Sequence, residues 1–244
     1  MIMATRRRLA ADAGTHFRDW NRVVGQCWTD LLRGRNLERG TVMEIGPGFS
    51  DKIGLGLAGL RFRGTIILVE PNAAACQWVA DRYRELLPDA HVVTVATRVQ
   101  NLRAPFRIDA LLANHVLDDV LLDALIPRSL SARLFSLMKP DAPCAPTFIE
   151  TWRRILAGAL PRPHELAIDV AASIAAMRPG LLAFNDYASW RHGAPMLAPI
   201  HRLSREMMFA LQSRLRSDGI PCVLRDAGSM RWLTGRSTRA ATLP

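Results

Sequence analysis

The chain has 244 residues, 49% hydrophobic and 22% charged, enough for one α/β domain with a full core. No apolar run approaches the roughly eighteen residues of a membrane span. A formal net charge of +10 comes almost wholly from arginine, with Lys52 and Lys139 the only lysines, and the arginines are evenly spread without interleaved aromatics, which disfavours a nucleic-acid surface. Cys27, Cys76, Cys144 and Cys222 are far apart and form no Cys-x-x-Cys pair, so neither a disulfide framework nor a zinc motif is indicated. Arg6-Arg7-Arg8 precedes no apolar segment, so a secretory signal is not indicated and a cytoplasmic location is expected.

In chain order, residues 15–33 place Phe17, Trp20, Val24, Trp28 and Leu31 at helical spacing. They predict an amphipathic helix that packs on the core and can close over a ligand cleft, making residues 1–38 an N-terminal helical cover. A first strand follows at 41–45, and Ser50 or Asp51 is expected to cap a helix running to about residue 60. The second strand is 65–70. Residues 73–87 carry Cys76, Trp78, Val79, Tyr83 and Leu87 and form a helix stopped by Pro88. Strand three is 91–95, and strand four, 108–114, is apolar on both faces, as a central parallel strand is. From 115 to 178 the rhythm breaks into consecutive helical segments, 118–126, 129–138, 147–158 and 164–177, read as a helical insertion over 127–176. A strand at 180–186, a helix at 199–217 and a terminal hairpin of 221–225 with 229–234 complete one α/β domain over 1–244. Strands alternating with helices predict right-handed crossovers in a doubly wound sheet.

The chemistry concentrates at Glu44-Ile45-Gly46-Pro47-Gly48 and at Leu68-Val69-Glu70-Pro71-Asn72. The glycines let backbone approach a ligand, and an acid closing the second strand presents two acceptors to the two donors of a ribose diol. A nicotinamide dinucleotide fits poorly, because Asp51 stands where the third glycine of its turn belongs and would face a pyrophosphate.

These two motifs resemble those of the class I S-adenosylmethionine-dependent methyltransferases, and the terminal hairpin is similar to that family's sheet, whose last strand is antiparallel. The resemblance implies a Rossmann-like methyltransferase fold over roughly 40–120 and 175–235, with S-adenosylmethionine as cofactor. It implies that Gly46, Pro47 and Gly48 make room for the methionine part, that Glu44 holds its ammonium, and that Glu70, Pro71 and Asn72 hold the ribose. The acid that the family often places after strand three is replaced by Ala96-Thr97-Arg98-Val99-Gln100, so Gln100 or backbone is expected to hold the adenine. Asn114-His115 occupies the place beside the sulfonium, with Asn114 touching the ligand and His115 a general base or substrate contact. Tyr187, after strand five, is the best aromatic candidate at the site, ahead of Trp152 and Trp190. Asp118, Asp119, Asn185 and Asp186 resemble the magnesium carboxylates of catechol-type O-methyltransferases, yet they also suit a helix's first turn and a strand end, and no metal is expected.

The expected activity is methyl transfer to a small molecule. A second reading rests on Asn114-His115-Val116-Leu117-Asp118-Asp119, Glu70-Pro71-Asn72 and the run from Asn185-Asp186-Tyr187 to Trp190, which weakly resemble the methyltransferase-like azetidine-2-carboxylate synthases. Those enzymes cyclise S-adenosylmethionine and release methylthioadenosine. A third is an RNA methyltransferase or RNA-associated module. The expected partner is a small-molecule substrate, with no nucleic acid or membrane, and a homodimer is compatible with the sequence.

Overall fold

A computed structural model of the chain describes residues 17–102, 108–125, 150, 153–154, 163–187, 198–227 and 230–236. The first helix, α1 (Phe17–Leu32), precedes β1 (Thr41–Ile45), α2 (Lys52–Ala58), β2 (Thr65–Val69), α3 (Ala73–Leu86), β3 (His91–Val95) and β4 (Ala110–Asn114). After them come α4 (Leu117–Leu125), α5 (Pro163–Met177), β5 (Leu181–Tyr187), α6 (Ala198–Ser217), β6 (Cys222–Ala227) and β7 (Met230–Gly235). The expected helices at 129–138 and 147–158 lie outside the described residues, apart from helical positions 150 and 153–154. Elsewhere the predicted elements occur within one or two residues of their expected bounds. Among the described residues, no helix is long and apolar enough to cross a membrane.

Seven strands form one sheet in the order β3-β2-β1-β4-β5-β7-β6. Neighbours from β3 to β5 are parallel, whereas β7 runs antiparallel to both β5 and β6. The crossover through α6 keeps β6 in the common direction at the edge, and the hairpin then reverses β7, which lies between β5 and β6.

Successive residues of a strand face opposite sides, and both sides here are covered. Met43, Ile45, Ile67, Val69, Leu111, Ala113, Leu182 and Phe184 face a core shared with α4, α5 and α6. Val42, Ile66, Leu68, Ala110, Leu112 and Ala183 face the other core, built with α1, α2 and α3. Val24, Trp28 and Leu32 are the fully buried face of α1, each contributing about 1.5–3 kcal/mol of burial. Gly25 and Gly56 let α1 and α2 cross closely, since a Cβ on Gly56 would lie 2.5 Å from the Trp28 Cβ. This alternation between faces decides which predicted site residues meet.

Candidate functional site

The strand order reverses between β1 and β4, so the segments leaving these strands diverge and open a crevice at the carboxyl end of the sheet. Its walls are apolar, from Ile45, Val69, Val99, Val116 and Val120, and its loops bring Gly46, Gly48, Phe49, Pro71 and Asn72 to the surface. Gly46 and Gly48 have φ of 60° and 56°, the left-handed region that other residues enter at a cost. A Cβ on Gly46 would also come within 2.2 Å of the Val116 Cγ2, so both the backbone and the residue leading into α4 demand glycine there.

Glu70 stands on the crevice wall and is anchored from two sides. The Gly48 N–H donates to its Oε2 at 3.0 Å and the Asn72 N–H to its Oε1 at 2.8 Å. Burial nevertheless raises its pKa above the ordinary carboxylate value, the two N–H groups opposing the shift. Asn72 meanwhile caps α3, its Oδ1 accepting from Ala74 and Ala75. Asp119 and Asp123 add to the acidity of the lining. Asp119 is pushed well above the carboxylate range, chiefly by burial and then by the neighbouring Asp118 charge. Arg98 pairs with Asp123 at 2.7 Å, which offsets the charge of that carboxylate.

Of the residues expected at the ligand, Gly46, Gly48, Glu70, Pro71, Asn72 and Gln100 line this crevice, whereas Glu44, Pro47 and Asn114 do not. Strand alternation is the reason for two of these. Glu44 shares the face of Val42 and accepts a hydrogen bond from the Tyr83 hydroxyl of α3. Buried to 1% exposure, it has a pKa raised to about 8 by desolvation, with the Tyr83 hydrogen bond opposing. Asn114 shares the face of Ala110 and Leu112, where the Trp28 indole N–H donates to its Oδ1 at 3.1 Å. Asp51 sits at the N-cap position of α2 without bonding as a cap. It instead accepts from Asn21 of α1 and Arg82 of α3, both at 3.0 Å, tying the two helices across the loop.

A second polar cluster forms where β4 and β5 end. His115 has φ 52°, a conformation that non-glycine residues adopt mainly where their surroundings enforce it. Its Nδ1 lies 2.7 Å from Asp186 Oδ1 and its Nε2 3.4 Å from Asp118 Oδ2. Asp186 is on the α4–α6 side with Phe184, and Ser204 of α6 donates to its Oδ2 at 2.5 Å. The His201 ring stacks near that of His115, centroids 5.8 Å apart. Its pKa is lowered to about 4 by burial first and by His115 second. Tyr187 ends β5 opposite Met230, while Trp152 and Trp190 lie outside the described residues. Sequence reading placed His115 near the reaction but missed His201 and Ser204. Their i, i+3 spacing puts them on one face of α6, which is the only signal the sequence offers.

No family model matches the chain, and no curated protein sequence matches it. Solved structures do. The N-methyltransferase NodS from Bradyrhizobium japonicum WM9, in complex with S-adenosylhomocysteine, is 12% identical at a TM-score of 0.52, covering 96% of this chain and 99% of that one. A S-adenosylmethionine-dependent methyltransferase from Aquifex aeolicus is 10% identical at 0.51, covering 86% and 89%. An O-methyltransferase family protein from Burkholderia thailandensis is 13% identical at 0.53, covering 92% and 59%. At these identities the likeness is one of architecture, and it agrees with the strand order derived above: the chain has the Rossmann-like fold of class I S-adenosylmethionine-dependent methyltransferases.

Proposed function

We propose that the chain binds S-adenosylmethionine in the crevice between β1 and β4 and transfers its methyl group to a small molecule. The observation that carries this reading is Glu70, held on the crevice wall by two backbone N–H groups. Each carboxylate oxygen keeps a second lone pair, so Glu70 can accept from both ribose hydroxyls while staying anchored. The rest of the lining suits the same ligand. Val99, Val116 and Val120 offer apolar contact to a purine, with Gln100 beside them for its polar edge. The anchored Glu70 carboxylate also favours a ligand that bears positive charge, because opposite charge at close range is worth most where water is scarce. Gly48 leaves open space where a side chain would project.

When bound, this cofactor supplies an electrophilic methyl group. The protein's task is then to align an acceptor in line with it and exclude water. Both ring nitrogens of His115 face carboxylates, Nδ1 at 2.7 Å from Asp186 and Nε2 at 3.4 Å from Asp118, so His115 serves as a contact to the acceptor rather than as the base. A small acceptor is favoured over RNA because the arginines are spread evenly along the sequence without interleaved aromatics.

The test is product analysis after incubation with S-adenosylmethionine, with and without candidate acceptors. Methyl transfer yields S-adenosylhomocysteine only when an acceptor is present. Release of methylthioadenosine without an acceptor, together with azetidine-2-carboxylate, would replace this reading with intramolecular cyclisation.

A further inference from the structure

The polar cluster beyond the crevice draws its groups from three elements that are distant in sequence. We propose that His115, Asp186 and His201 form a binding site for a divalent transition-metal ion of the zinc type. One donor atom from each residue lies within 4.8 Å of the other two. Tetrahedral zinc, with bonds of about 2.0–2.2 Å, spaces its donors about 3.3 Å apart, so side-chain rotations of an ångström or so close the set. An ion bonded to two imidazoles holds their centroids roughly 5 Å apart. His115 and His201 are already at 5.8 Å.

Two further contacts match what surrounds a metal rather than what fills a core. Ser204 donates to Asp186 Oδ2 at 2.5 Å, which fixes the carboxylate and leaves Oδ1 on the side of His115. Asp118 Oδ2 stands 3.4 Å from His115 Nε2, the carboxylate-on-histidine arrangement that orients a ligating ring through its other nitrogen. Two imidazoles and one carboxylate suit zinc, cobalt or iron far better than magnesium. The ion replaces the proton held between His115 Nδ1 and Asp186 Oδ1, and that proton passes to solvent. No electron is transferred. Three protein ligands leave a fourth position for water or for an oxygen of a substrate.

The full chain, stripped with a chelator, is titrated with Co2+ and then with Zn2+, with visible absorption and calorimetry as readouts. One Co2+ per chain with tetrahedral-type visible bands, displaced by Zn2+, is the expected result. His201→Gln and Asp186→Asn should each weaken Co2+ binding at least a hundredfold, and Ser204→Ala roughly tenfold. Thermal unfolding provides the folding control: Co2+ should raise the midpoint of the wild-type chain and leave that of His201→Gln unchanged. The proposal fails if the wild-type chain has no saturable site, if His201→Gln binds Co2+ as the wild type does, or if the spectrum carries the intense near-ultraviolet band of thiolate ligation. S-adenosylmethionine enters none of these readouts, so they are independent of the methyl-transfer reading.

Discussion

Glu70 and Glu44 are both buried acids on the carboxyl side of the sheet, and their surroundings give them opposite uses. Glu70 is anchored by backbone N–H groups and faces the crevice; its charge is available to a ligand. Replacing it with Gln removes a charge-assisted contact worth roughly 1.5–3 kcal/mol, a loss of about 10- to 100-fold in S-adenosylhomocysteine affinity. Since burial raises the Glu70 pKa, wild-type affinity should fall as pH is lowered, beginning above the range of a free glutamate. Calorimetry should find a flatter profile for Glu70→Gln at acid pH. Glu44 faces Tyr83, and burial raises its pKa to about 8 from the 4.5 of an exposed glutamate. The folded state thus holds a proton that the unfolded state loses. Its contribution to stability is full below about pH 4.5 and declines up to pH 8, by about 1.4 kcal/mol per unit. Melting temperatures of Glu44→Gln across this range should lose that slope, and an unchanged slope would assign it to other groups.

At the scale of elements, α1 is fixed by shape as much as by burial. Gly25 and Gly56 bring its backbone against α2, and Trp28 reaches past them to Asn114 and packs edge-on against Trp232 at 4.8 Å. Gly56→Ala gains about 1 kcal/mol in helix propensity. It also sets a methyl 2.5 Å from the Trp28 Cβ, an overpacking that costs typically 1–3 kcal/mol. The clash involves atoms next to the backbone and should win, so thermal unfolding is expected to show a net loss of up to about 2 kcal/mol. A more stable variant would mean that α1 is free to shift. The helical spacing of Trp20, Val24 and Trp28 made this element legible from sequence. Its contacts were not: the role of Asp51 as a tie between Asn21 and Arg82 depends on side chains about thirty positions away in either direction.

Across the whole molecule, what was legible followed local periodicity, and what was hidden followed strand parity. Alternation of strands with helices announced the parallel sheet, the run at 108–114, apolar on both faces, announced its central strand, and the turn after β6 announced the reversed β7. Two residues consecutive in a strand end on opposite sides of the sheet. That sends Asn114 to Trp28, while Asp186 goes to His115 and Ser204. The crevice residues were readable because Gly46, Gly48 and Glu70 belong to loops leaving adjacent strands. The His115 cluster was only partly so, since α6 supplies His201 and Ser204 from far along the chain. The most direct test of this account is calorimetric titration of the full chain with S-adenosylhomocysteine. It predicts saturable binding at one ligand per chain, weakened by Glu70→Gln. Absence of binding, or binding that Glu70→Gln leaves unchanged, would contradict it.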